Sequence, residues 1–147
     1  MIRLTKEFSF ESAHALRGYD GPCREIHGHS YRLFVTVCGE PRGGTDDPKR
    51  GMVMDFGDLK RIVNERILSQ MDHSLVLERG GLGEELARQL SAQFANVVFT
   101  DYRPTCENLL ADFASRLRSA LPAGVALHSL RLHETATSYA EWFAADN

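Results

Sequence analysis

The chain has 147 residues, 43% hydrophobic and 25% charged, the balance of an ordinary globular domain. With 17 Lys and Arg against 20 Asp and Glu the formal net charge is −3, so no basic field points to nucleic acid. No apolar run approaches the roughly 18–20 residues that span a bilayer.

Finer features agree. The N-terminal MIRLTKEFSF alternates apolar and polar residues and lacks the apolar centre of a secretory leader. Three cysteines, Cys23, Cys38 and Cys106, stand at irregular spacings, unlike a secreted disulfide framework. The expectation is one cytoplasmic domain over residues 1–147, with neither nucleic acid nor membrane as partner.

Ile2, Leu4, Phe8 and Phe10 recur at alternate positions, with Lys6 as the break, and predict a half-buried first strand. Tyr31, Leu33, Val35 and Val37 share one parity in a second strand over 29–39. The Gly/Pro-punctuated loop GYDGPCREIHG separates the two, and the polar stretch GEPRGGTDDPKRG leads to a short third strand at Met52–Met54. Asp55 and Asp58 then open an amphipathic helix with Leu59, Ile62, Val63, Ile67 and Met71 on one face. A second helix follows Gly83, and a third runs from about Glu107 with Thr105 as its N-cap and Leu110, Phe113, Ala114 and Leu117 on its stripe. ALHSLRLHE and SYAEWF form a closing hairpin. The fold class expected is α+β with an antiparallel sheet.

His27-Gly28-His29 opens the second strand. Side chains at i and i+2 of a strand point the same way, and two such imidazoles can converge on one ion, with Zn–N bonds of about 2.0–2.1 Å. His14 ends the first strand on the parity of Phe8 and Phe10. Antiparallel pairing would bring it to the same corner, and three imidazoles with an open fourth position are the pattern of a catalytic zinc. An isolated His-x-His is also common as a surface or core pair. Cys23, four positions before His27, is either a thiol ionised by a nearby cation, a fourth ligand, or an inert packing group. Asp72-His73 suits a proton relay, because a neighbouring carboxylate orients an imidazole. Glu107 and Glu134 are further carboxylates, each alternatively a solvated acid at a helix start or strand end. A carboxylate at a strand end can accept two parallel hydrogen bonds from a guanidine-like ligand edge.

Six motifs in order, FSFESAH, CREIHGH, GMVMDFGDLK, MDHSLVL, RPTCEN and HET, span nearly the whole chain. Together they resemble the 6-pyruvoyltetrahydropterin synthase/6-carboxytetrahydropterin synthase family. The resemblance implies zinc on His14, His27 and His29, a proton-transfer group of Cys23, Asp72 and His73, and Glu134 as the anchor for the 2-amino-4-oxo edge of a pterin. It also places Thr105 and Glu107 near the pterin pocket. Three residues, Arg24-Glu25-Ile26, separate Cys23 from HGH, similar to the bacterial 6-carboxytetrahydropterin synthases of queuosine and 7-deazapurine biosynthesis.

The substrate so implied is 7,8-dihydroneopterin triphosphate. The implied fold is a tunnelling fold, a four-stranded antiparallel sheet with helices on one face, assembled into barrels as a homohexamer of two trimers with active sites at subunit interfaces. The segment from Leu75 to Arg103 is longer than in compact members and would add a helix and strand. Competing expectations are a pyruvoyl synthase without chain cleavage, a binding protein whose zinc is closed by Cys23, and a zinc hydrolase with Glu107 or Glu134 as base.

Overall fold

The alternating apolar residues of the two N-terminal segments build two long strands. In the computed structural model, which describes residues 1–147, β1 covers Ile2–Ala15 and β2 covers His27–Gly39. They pair antiparallel from Ile2 opposite Gly39 to His14 opposite His27. A single 3-10 turn, Pro22–Arg24, lies in the loop between them. Because strand side chains alternate, Phe8 and Phe10 fall on the same face as Tyr31, Leu33, Val35 and Val37, and all six are buried.

Helices cover that face. Asp55 accepts a hydrogen bond from the Gly57 amide at 2.7 Å and caps α1, Phe56–Val63. The helical path continues through one π-helical turn, Asn64–Leu68, into the short α2, Ser69–Met71. Leu59, Ile62, Val63, Ile67 and Met71 are buried along it, as the periodicity predicts. Thr105 caps α4, Cys106–Arg118, by accepting from the Asn108 amide at 3.3 Å. Phe113 of α4 meets Phe10 edge-on, with ring centres 6.3 Å apart, and Phe10 stacks on Tyr31 at 5.0 Å. β5, Val125–His133, and β6, Tyr139–Phe143, form the expected closing hairpin.

Two expectations need correction. The sheet has six strands in the order β4-β3-β1-β2-β5-β6 rather than four, and it is mixed rather than antiparallel. β3, Ser74–Glu78, and β4, Val97–Thr100, run parallel to their neighbours, joined through α3, Glu84–Gln93. A crossover helix of this length carries the chain back to the same end of the sheet, so the strands it links lie parallel. The long 75–103 segment therefore adds one helix and most of two strands. Met52–Met54 is not a strand either. The backbone there turns, exchanging hydrogen bonds between Arg42 and the Gly51–Met52 pair, while Val53 and Met54 plug the core just before the Asp55 cap. The chain holds no helix long and apolar enough to cross a membrane.

Candidate metal centre

The β1–β2 register places His14 directly opposite His27, and His29 two residues along on the same face. The three rings pack with centroids 4.6, 5.2 and 4.9 Å apart, and one ring nitrogen from each lies within 4.8 Å of the others. The Nδ1–H of His14 donates to the carbonyl of Pro104 at 2.7 Å, and the Nδ1–H of His27 to the carbonyl of Glu25 at 2.8 Å. Those bonds leave the two Nε2 lone pairs facing each other across 3.1 Å. Two lone pairs so placed repel unless a cation lies between them.

Other features fit a cation equally well. Tetrahedral ligands at about 2.0–2.1 Å from zinc sit about 3.3 Å apart, and backbone carbonyls on the far nitrogens are the usual outer support of ligating histidines. His29 Nε2 is buried with no hydrogen-bond partner, an orphan that a metal would satisfy. Burial holds His14 and His29 below the ordinary histidine range, which keeps their lone pairs available. The donor set therefore fits a divalent ion such as zinc.

Glu134 stands at the rim. It follows β5 directly, and its amide donates to the Ser138 carbonyl in the hairpin turn. Its Oε1 lies 3.6 Å from both His14 Nε2 and His29 Nε2, and it accepts the Tyr31 hydroxyl at 3.3 Å. Burial and the Glu134 carboxylate push the Tyr31 phenol far above its ordinary value, so it stays a donor. Tyr31 and the Pro104 and Glu25 carbonyls escaped the sequence reading. Tyr31 shows there only as a strand core residue, and backbone carbonyls carry no sequence signal. Thr105 and Glu107 sit at the start of α4, immediately after the Pro104 carbonyl that holds His14. The Cys106 thiol between them is pushed up to about 11, chiefly by burial, and donates to the Leu132 carbonyl.

Comparison with known proteins meets this geometry. The family model described as 6-pyruvoyl tetrahydropterin synthase matches residues 3–145. The chain belongs to the 6-pyruvoyl tetrahydropterin synthase family. A curated relative from Haemophilus influenzae, named 6-carboxy-5,6,7,8-tetrahydropterin synthase, is 36% identical over 97% of this chain and 99% of its own length. A Synechocystis relative of the same name is 35% identical over 95% of this chain and 91% of its own. A 6-pyruvoyl tetrahydrobiopterin synthase from Pongo abelii is 33% identical over 74% of this chain and 60% of its own. Among solved structures, an uncharacterised Wolinella succinogenes protein matches with a TM-score of 0.80 at 21% identity, over 97% of this chain and 98% of its own. The Caenorhabditis elegans 6-pyruvoyl tetrahydropterin synthase matches at 0.64 and 23% identity, over 97% of this chain and 95% of its own. These last two likenesses concern the fold.

Within this pterin synthase chain the remaining candidates lie apart from the histidines. Asp72 Oδ1 accepts from the Glu11 amide at 3.0 Å and lies 3.0 Å from His73 Nδ1. That amide bond, more than any other contact, holds the Asp72 carboxyl below its usual range. His73 is the one non-glycine residue with a positive φ, 56°, a left-handed conformation uncommon for a side-chain-bearing residue. Its amide donates to the Glu11 carbonyl as the chain turns from α2 into β3. The imidazole opens onto a cleft lined by Glu11, Ala13, Gly28 and Ser30, whose positions alternate with the three histidines, and by Ser12 and His29 as well. The Asp72–His73 pair thus stands outside the three-histidine cluster. Cys23 is half-buried in the 3-10 turn and is not part of the converging group. A four-ligand site closed by its sulfur is not formed.

Proposed function

We propose that the chain is a zinc-dependent 6-carboxy-5,6,7,8-tetrahydropterin synthase. It converts 7,8-dihydroneopterin triphosphate with release of acetaldehyde and triphosphate, and it serves queuosine or 7-deazapurine biosynthesis. The observation that carries this reading is the convergence of the His14, His27 and His29 nitrogens on one point, in a chain 36% identical to a synthase of that name.

His14, His27 and His29 would hold zinc, which when bound supplies Lewis acidity to the side-chain hydroxyls of the substrate. The chain's own groups do the rest. Glu134 accepts two parallel hydrogen bonds from the 2-amino-4-oxo edge and so fixes the ring, with Thr105 and Glu107 alongside. Cys23, as thiolate, removes a carbon-bound proton from the side chain. His73, oriented by Asp72, returns protons to ring or side chain. His73 stands outside its own chain's histidine cluster, and it serves the centre of a neighbouring copy. The unpaired edges of β4 and β6 suit such an assembly, a homohexamer of two trimers.

Mass spectrometry of the products from the triphosphate substrate with zinc-loaded protein tests the reading. The carboxypterin with equimolar acetaldehyde is expected. The resemblance to the Pongo abelii protein favours one second reading, triphosphate elimination without chain cleavage, which a pyruvoyl product and no acetaldehyde would establish. Zinc-loaded protein that leaves the substrate untouched would overturn both.

A further inference from the structure

Two arginines near the histidine centre carry charge that no carboxylate of the fold neutralises. Arg17 lies three residues beyond His14, so the two Cα atoms are within about 11 Å of each other. Arg103 immediately precedes Pro104, whose carbonyl holds His14. Neither arginine pairs with a carboxylate, unlike Arg24, Arg32 and Arg116. They meet because β1, β3 and β4 run parallel and finish at one end of the sheet, where Arg103 Nη2 donates to the Arg17 carbonyl at 3.0 Å. Arg17 Nη1 is buried with no acceptor, beside Gly81, where a Cβ would lie 3.9 Å from it. Gly18, at a φ of 77°, leaves similar room beside Arg103.

A buried guanidinium nitrogen without an acceptor is uncommon, and ligands of open parallel sheets enter at the carboxyl ends of the strands. We propose that Arg17 and Arg103 form a polyphosphate subsite, which on the pterin synthase reading takes the triphosphate of the substrate. Their planar forks match phosphate oxygens, whereas the carboxylates of Glu107 and Glu134 would repel them. The chain's other basic cleft is excluded by charge and by distance. Its Arg42, Lys49, Arg61 and Arg66 face three carboxylates, and it lies against Val53 at the Gly39 end of β2. That end is about 40 Å of strand from His27, too far for the triphosphate of a molecule held at the histidines. The anion site itself requires no pterin; only its natural occupant rests on the synthase reading.

Calorimetric titration of inorganic tripolyphosphate into the zinc-loaded protein tests this without turnover. Arg17→Gln should weaken binding by about 10–100-fold, the worth of one hydrogen bond to a charged group. Arg17→Lys should recover part of that loss, since the charge returns but the fork does not. Arg118→Gln removes a charge from the far end of α4, over Trp142, and should leave the affinity at the wild-type level. Neopterin, which carries the ring but no phosphate, should bind wild type and Arg17→Gln alike, with equal zinc content in both. Equal tripolyphosphate affinity in wild type and Arg17→Gln would overturn the proposal, as an anion held by the metal alone would give. So would a parallel loss of neopterin binding, the mark of a general disturbance. Arg17-dependent tripolyphosphate binding by a protein that leaves dihydroneopterin triphosphate unchanged would keep the anion site and refute its assignment to that substrate.

Discussion

The Nδ1–H of His14 donates to the carbonyl of Pro104 at 2.7 Å, across 90 positions of sequence. This one bond ties the end of β1 to the turn that starts α4, fixes the ring's tautomer, and aims Nε2 at His27. The RPTCEN motif thus supports the histidine centre through its backbone.

Removal of His29 should sharply weaken metal binding without unfolding the chain. Its ring lies at the partly exposed end of the cluster, and the Phe10, Tyr31 and Phe113 packing beneath does not depend on it. His29→Ala should weaken zinc affinity by more than the ~100-fold typical of losing an outer-shell partner. Competition with a chromophoric chelator measures this, and unchanged circular dichroism after chelation shows that the metal is not what holds the fold.

Cys23 lies outside the converging nitrogens, so Cys23→Ala should eliminate turnover while zinc stoichiometry stays at the wild-type level. Metal analysis on the same sample that gives the rate decides it. Loss of zinc together with rate would make the thiol a ligand instead.

Because Asp72–His73 stands outside the histidine cluster of its own chain, a shared active site predicts complementation. Cys23→Ala and His73→Ala should each be inactive alone. Random co-assembly of equal amounts should restore about a quarter of the sites, since each working site then draws one intact group from each of two copies of a symmetric oligomer. Unfolding and refolding the mixture, followed by rate measurement, checks this. Failure to recover activity from properly assembled mixtures would place the whole site in one chain.

Asp72 also carries a pH signature. Its native carboxyl titrates below its unfolded value of about 3.9, so its stabilising contribution is complete above about pH 4. It disappears as pH falls through the lowered native value. Thermal melts of wild type and Asp72→Asn should therefore differ at neutral pH and converge in strong acid. A gap independent of pH would mean that the charge contributes nothing.

Gly39 marks where β2 ends against the turn before β5. A Cβ there would lie 2.7 Å from the Gly124 carbonyl oxygen and 2.9 Å from Val53 Cγ1, and backbone cannot yield cheaply. Gly39→Ala should cost about 1–3 kcal/mol, the usual penalty of overpacking, read as a lowered denaturation midpoint at unchanged slope.

Local chemistry made much of this molecule legible from its residues. The alternation in β1 and β2, the caps at Asp55 and Thr105 and the apolar stripe of α4 depend on near neighbours in sequence, and so does the same-face geometry of His27 and His29. Position along the chain could not reveal that β3 and β4 lie parallel beyond β1, because a short apolar run such as Val97–Thr100 carries no mark of its partner or direction. Nor could it show that Tyr31 and the Pro104 carbonyl serve the centre, or that Asp72–His73 stands outside the histidine cluster. Those are consequences of which distant segments pack together, and long-range packing is settled by the shape of the whole core rather than by any stretch of it.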